Sequence, residues 1–88
     1  MEKRIGSVLI LLQDKESAPF VNAVISRHSQ IIIGRQGLPV RDSSTAIISL
    51  VLEGTTDEIG SLTGQLGRIP NTEVKSVVLK IKDNHEKS

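Results

Sequence analysis

Six apolar blocks separated by short polar joints fill almost the whole of this 88-residue chain: Ile5 to Leu12, Phe20 to His28, Ile31 to Val40, Ala46 to Glu53, Glu58 to Gly67 and Val74 to Ile81. Their lengths and periodicities predict strand, helix, strand, strand, helix, strand. That order is the split βαβ plan, an α+β ferredoxin-like βαββαβ fold. A four-stranded antiparallel sheet carries both helices on one face.

A domain of this size buries only roughly 60–65% of its surface on folding, so its core is marginal without reinforcement. Cysteine is absent, which excludes disulfides, thiolate metal sites, iron–sulfur ligation and thiol nucleophiles together. Reinforcement is expected from packing or from further subunits. Eleven basic residues against ten acidic ones leave a net charge of +1, too balanced to attract a polyanion by composition. No apolar run approaches the ~18 residues of a membrane span, and Met1-Glu2-Lys3-Arg4 leads straight into a strand rather than a signal peptide. A cytoplasmic protein with no membrane partner is expected.

Local chemistry supports the plan block by block. Val8-Leu9-Ile10-Leu11-Leu12 is too short for a helix and has the unbroken apolar character of a central strand covered on both faces. Asp14 or Ser17 is positioned to cap the first helix, Pro19 suits its first turn, and Phe20, Val21, Val24, Ile25 and His28 are expected along one stripe. His28 falls at the C-terminal end of that stripe, where a cation complements the helix dipole, and no clustered second His or carboxylate marks a ligand site. In the second strand, Ile31-Ile32-Ile33 demands extended chain while Gly34, Gly37 and Pro39 interrupt it. Proline cannot donate a ladder bond and glycine marks bulges, so this is an edge strand, as the topology requires. Asp42-Ser43-Ser44 forms the joint into the third strand.

Thr55 and Glu58 have capping-box spacing at the start of the second helix. Ile59, Leu62 and Leu66 then form an apolar stripe beside a small-residue stripe of Gly60, Gly64 and Gly67. Each interior glycine costs about 0.8–1 kcal/mol against alanine, which predicts close approach of another backbone at Gly60 and Gly64. Gly67 is a helix terminus.

Strand parity bears on assembly. Val8, Ile10 and Leu12 oppose Leu9 and Leu11; Ile48, Leu50 and Leu52 oppose Ile47 and Val51; Val74 and Val78 oppose Val77, Leu79 and Ile81. Both faces of the sheet are therefore apolar, and the helices cover one. A second apolar face exceeds what small monomers tolerate, so a homodimer or homotetramer through the sheet is expected.

Several chemistries are poorly served. Base-stacking RNA readers need aromatics on the sheet, and the single aromatic, Phe20, lies on a helix. Copper-chaperone versions need paired cysteines. An acylphosphatase-like site would draw on an arginine loop after the first strand and an asparagine; Arg35 and Asn22 exist, but Asn22 falls mid-helix and no arginine follows that strand. No serine sits beside an activating base, and neither His28 nor His85 has an evident partner. No catalytic residues, metal ligands or cofactor are expected. A recognition helix and a basic arm are lacking, so direct DNA binding is not expected.

The stretches Arg4-Ile5-Gly6-Ser7-Val8, Gly34-Arg35-Gln36-Gly37-Leu38-Pro39, Ile48-Ser49-Leu50 and above all Gly54-Thr55-Thr56-Asp57-Glu58-Ile59-Gly60-Ser61-Leu62-Thr63-Gly64-Gln65-Leu66-Gly67-Arg68 resemble the small stand-alone iron-only hydrogenase system regulators, from about Glu2 to Lys80. The resemblance implies an ACT-like domain over residues 1–82, a frayed polar tail over 83–88, and a regulatory role, transcriptional by designation, in an iron-only hydrogenase system. The chain is more distantly similar to the C-terminal sensor domain of nickel-responsive repressors, which assemble into tetramers. Their nickel ligands fall by strand matching near Leu38, Val40 and Ala46, none of which can ligate nickel. Their DNA-reading segment precedes the sensor, whereas this chain begins at the first sensor strand.

A non-enzymatic, oligomeric, ACT-like regulatory domain is the function expected, sensing a small anionic effector. The effector site is expected at Gly34, Arg35, Gly37, Pro39 and Arg41, where glycines admit a ligand to the backbone and guanidinium groups hold a carboxylate or phosphate. The same arginines equally suit solvated edge charges that discourage strand addition. Thr55 and Thr56 are expected to cap rather than bind an anion. The rival function is a structural oligomerisation or adaptor subunit that docks a separate protein and binds no effector.

Overall fold

The structure, a computed structural model, describes residues 2–40 and 44–80. Arg41, Asp42, Ser43, Ile81, His85 and the expected tail over 83–88 lie outside the described residues. Strand β1 (Arg4–Leu12) is followed by helix α1 (Ala18–Arg27), strands β2 (Ile32–Pro39) and β3 (Ala46–Gly54), helix α2 (Thr56–Gly67) and strand β4 (Thr72–Lys80). The sheet order is β2-β3-β1-β4. All three pairings are antiparallel, so the α+β ferredoxin-like plan holds, with β1 central and β2 at an edge.

Register follows hydrophobic alternation. Val8 pairs with Leu50 and Ile10 with Ile48, which places Val8, Ile10, Leu12, Leu50 and Leu52 on the helix-covered face, all buried. The helices close over them with Val21, Val24 and Ile25 from α1 and Ile59, Leu62 and Leu66 from α2. Phe20 does not join this stripe. It stands at the stripe's rim in the first turn of α1 and is 64% exposed.

Helix starts divide differently from expectation at α1. Asp14 caps a 3-10 turn at Lys15–Ser17, its Oδ1 accepting from the Glu16 amide at 3.0 Å. Ser17, at the N-cap of α1, instead donates its buried hydroxyl to the Pro70 carbonyl at 2.7 Å, fastening the head of α1 to the turn between α2 and β4. That turn is closed by Asn71 at φ 57, a left-handed conformation that asparagine tolerates. A second 3-10 turn at Ser29–Ile31 delays the start of β2 to Ile32.

The capping box of α2 is complete. Thr55 Oγ1 accepts from the Glu58 amide at 3.1 Å, and Glu58 Oε1 accepts from the Thr55 amide at 2.8 Å. The preceding Gly54 leaves little room for a side chain, since a Cβ there would meet Glu58 Oε1 at 2.9 Å and Ile31 Cγ2 at 3.0 Å, and both would have to shift. Thr55→Ala is expected to cost about 1 kcal/mol, measured as a lower denaturation midpoint with an unchanged denaturant slope.

The glycine stripe of α2 behaves otherwise. A Cβ at Gly60, Gly64 or Gly67 would meet nothing within 4 Å. Among the described residues no other backbone approaches Gly60 or Gly64, and the stripe borders an open groove with Ser61, Gln65 and Arg68.

Candidate functional site

Two surfaces hold the residues of interest: the β2 edge and the uncovered face of the sheet. At the edge, among the described residues, β2 pairs with β3 alone, with a register shift between Ile32 and Gly34 that leaves Ile33 as an extra, exposed residue. Strand alternation then separates the residues expected to form one site. Arg35, Gly37 and Pro39 lie opposite Leu50, Ile48 and Ala46 on the helix side, whereas Gly34 lies opposite Val51 on the uncovered face. Arg41 lies outside the described residues. A Cβ at Gly34 would make only ordinary contact with Val51, at 3.7 Å, and at Gly37 it would meet nothing.

The edge also holds a contact that strand and helix patterns do not foretell. Arg35 Nη2 donates to Asn22 Oδ1 on α1 at 2.7 Å. Asn22 falls mid-helix, as read from the sequence, yet on the flank that overhangs β2. The pair fixes one end of an exposed guanidinium whose planar fork carries further donors.

His28 has two partners. Its Nδ1 lies 2.8 Å from the Val24 carbonyl and must donate to it, while Nε2 lies 3.1 Å from Ser61 Oγ on α2. In the neutral ring Nε2 therefore accepts from the serine hydroxyl. Gln65 Nε2 donates to the same hydroxyl at 3.1 Å, and Arg27 Nη2 donates to Gln65 Oε1 at 3.2 Å. This chain of bonds ties α1 to α2 and gives His28 a structural use. Among the described residues no group of His, Cys, Asp and Glu is placed to hold a metal ion. No helix among them is long and apolar enough to cross a membrane.

The uncovered face is built from the other strand parity. Pairing lines its residues up in rows across the sheet: Glu73, Leu11, Ile47 and Leu38; then Lys75, Leu9, Ser49 and Gln36; then Val77, Ser7, Val51 and Gly34; then Leu79, Ile5 and Glu53. Leu9 is 53% exposed, Val77 61% and Leu79 62%, although Leu9 lies in a central strand. The unbroken apolar run of β1 is thus covered on one face only within the protomer. Leu9, Leu11 and Ile47 floor a hollow of about 210 Å³ whose rim carries Glu73 and Lys75. Sequence parity identifies this face through Leu9, Leu11, Ile47, Val51, Val77 and Leu79. Glu73 and Lys75 share the parity of Val77 and Leu79, and that is the signal that assigns them to it.

Residues 4–76 match the TM1266-like family, described as a candidate iron-only hydrogenase system regulator. Among solved structures, the chain is similar to the uncharacterized protein TM1266 from Thermotoga maritima, at 41% identity and a TM-score of 0.85 over 90% of this chain and 100% of that one. The C-terminal domain of MgtC from Mycobacterium tuberculosis superimposes with a TM-score of 0.68 at 15% identity, covering 91% of this chain and 92% of that one. CPII from Thiomonas intermedia, solved bound to ADP, AMP and acetate, does so with a TM-score of 0.55 at 10% identity, covering 98% and 97%. The last two likenesses show the fold alone. No curated protein matches the chain.

Proposed function

The chain belongs to the TM1266-like family of candidate iron-only hydrogenase system regulators, and from that premise we propose that it is a non-enzymatic regulatory domain that works as an oligomer and senses a small anionic effector. Its control of the hydrogenase system runs at the level of transcription. The single observation that carries this reading is the uncovered sheet face, with Leu9, Val51, Val77 and Leu79 exposed on one side of a sheet whose other side is already packed. Such a face suits assembly, because it offers apolar contact that a lone small domain leaves in water.

We place the effector at the β2 edge, at Gly34, Arg35, Gly37, Pro39 and Arg41. Support comes from Arg35, whose guanidinium is exposed and steadied by Asn22, an arrangement that leaves donors for a carboxylate or phosphate. Alternation sets Gly34 on the opposite side of β2 from Arg35, so Gly34 serves the site through its backbone.

A thermal-shift screen of small carboxylates, phosphates and nucleotides tests the proposal. An effector at 100 times its dissociation constant adds about 2.7 kcal/mol to the native state, which raises the melting temperature of a domain this small by about 10–20 °C. Arg35→Ala is expected to abolish the shift while leaving the unliganded melting temperature within about 3 °C. No shift with any anion, together with stoichiometric co-purification of a protein partner, would instead establish an adaptor subunit.

A further inference from the structure

Glu73 and Lys75 sit on adjacent rows of the uncovered face, two residues apart on β4, both exposed and at the rim of the apolar hollow. We propose that a second copy of this chain occupies the face, with a two-fold axis crossing the sheet between these two rows, and that reciprocal Glu73–Lys75 pairing sets that register. The inference rests on the reading of the chain as a sheet-paired oligomer and names what specifies the pairing.

The register of the sheet supplies the argument. A two-fold interface must be self-complementary, so where a residue of one copy meets a second residue of the partner, that second residue meets the partner's copy of the first in return. An axis between the first two rows sets Glu73 against the partner's Lys75, Leu11 against the partner's Leu9, and Ile47 and Leu38 against the partner's Ser49 and Gln36. Opposite charges meet at the rim, and leucines meet over the hollow, which gives their side chains room to interdigitate at the ~10 Å spacing of stacked sheets.

Two other axes leave these charges without partners. Moving the axis one row along sets Glu73 against the partner's Leu79, Ile47 against the partner's Glu53 and Lys75 against the partner's Val77, so every charge faces an aliphatic side chain. An axis parallel to the strands sets Glu73 against the partner's Leu38 and Lys75 against the partner's Gln36, again without a counter-charge. Pairing of the two charges favours the first arrangement over these two, and it leaves Val77 and Leu79 beyond the two facing rows, at the margin of the contact.

Charge exchange tests it directly. Glu73→Lys and Lys75→Glu, each alone, place like charges together twice per dimer and are expected to raise the self-dissociation constant about tenfold or more. An equimolar mixture of the two variants is expected to give the mixed dimer almost exclusively by native mass spectrometry, because each Lys then meets a Glu. The doubly exchanged chain, E73K with K75E, is expected to self-associate like the parent. Thermal melts check that the single variants remain folded, as their exposed positions predict. Single variants that associate like the parent, with a statistical mixture of dimers, would overturn the proposed register while leaving oligomerisation intact. A parent chain that stays monomeric would overturn both.

Discussion

Leu62→Ala is expected to destabilise the protomer by about 2–5 kcal/mol, a large share of the 5–15 kcal/mol that holds a typical domain together. Leu62 is fully buried on the inner face of α2 and belongs to one cluster with Val8, Ile10, Leu50, Leu52 and Leu66. The cavity left behind is lined by neighbours that are themselves fully buried and held by strand pairing and helix, which limits how far they collapse into it. With melting temperature moving ~4–8 °C per kcal/mol in a domain of this size, a fall of roughly 10–30 °C is expected in a thermal melt. A loss below about 1 kcal/mol would mean that α2 is not anchored through this stripe.

Leu9→Lys separates the two faces of the same strand. Leu9 is flanked in sequence by the fully buried Val8 and Ile10, yet its own side chain is half exposed on the uncovered face. In an isolated protomer an ammonium there stays in water, so the fold is expected to survive. In an assembly through this face, two leucines lose burial worth about 1.5–3 kcal/mol each. Two ammonium groups are also desolvated without counter-charges. The dissociation constant is expected to rise by about a hundredfold or more, measured by sedimentation across a concentration series. A variant that assembles as tightly as the parent would place the interface elsewhere. Leu62→Ala and Leu9→Lys thus act on different quantities: the first on unfolding, the second on association.

Much of this was legible in the residues because the fold is locally consistent. Pro39, Gly37 and Gly34 mark β2 as an edge before any topology is known, and the edge position in the sheet order agrees with them. Thr55 and Glu58 set the start of α2 to the residue, since a capping box is a short-range arrangement that carries its own geometry. Two apolar parities in β1 and β3 revealed an uncovered face, because alternation translates directly into sidedness. What escaped depends on how elements lie over one another. Phe20 belongs to the helical period of its stripe yet overhangs the sheet's cover. Gly60 and Gly64 suggest close approach, and only packing shows that nothing among the described residues fills the space beside them. The Arg35–Asn22 bond needs α1 to cross above β2, which no spacing within either segment encodes. Gly34 falls on the opposite side of β2 from Arg35, Gly37 and Pro39 for the opposite reason. Gly34 and Arg35 are neighbours in sequence, and in a strand neighbouring side chains point apart.

The most direct test of the account is sedimentation velocity of the unmodified chain from about 1 to 100 μM. Pairing of the uncovered sheet face predicts a mass at least twice the 9.5 kDa of one chain over most of that range. A single species at the protomer mass throughout, well behaved at the highest concentration, would contradict it.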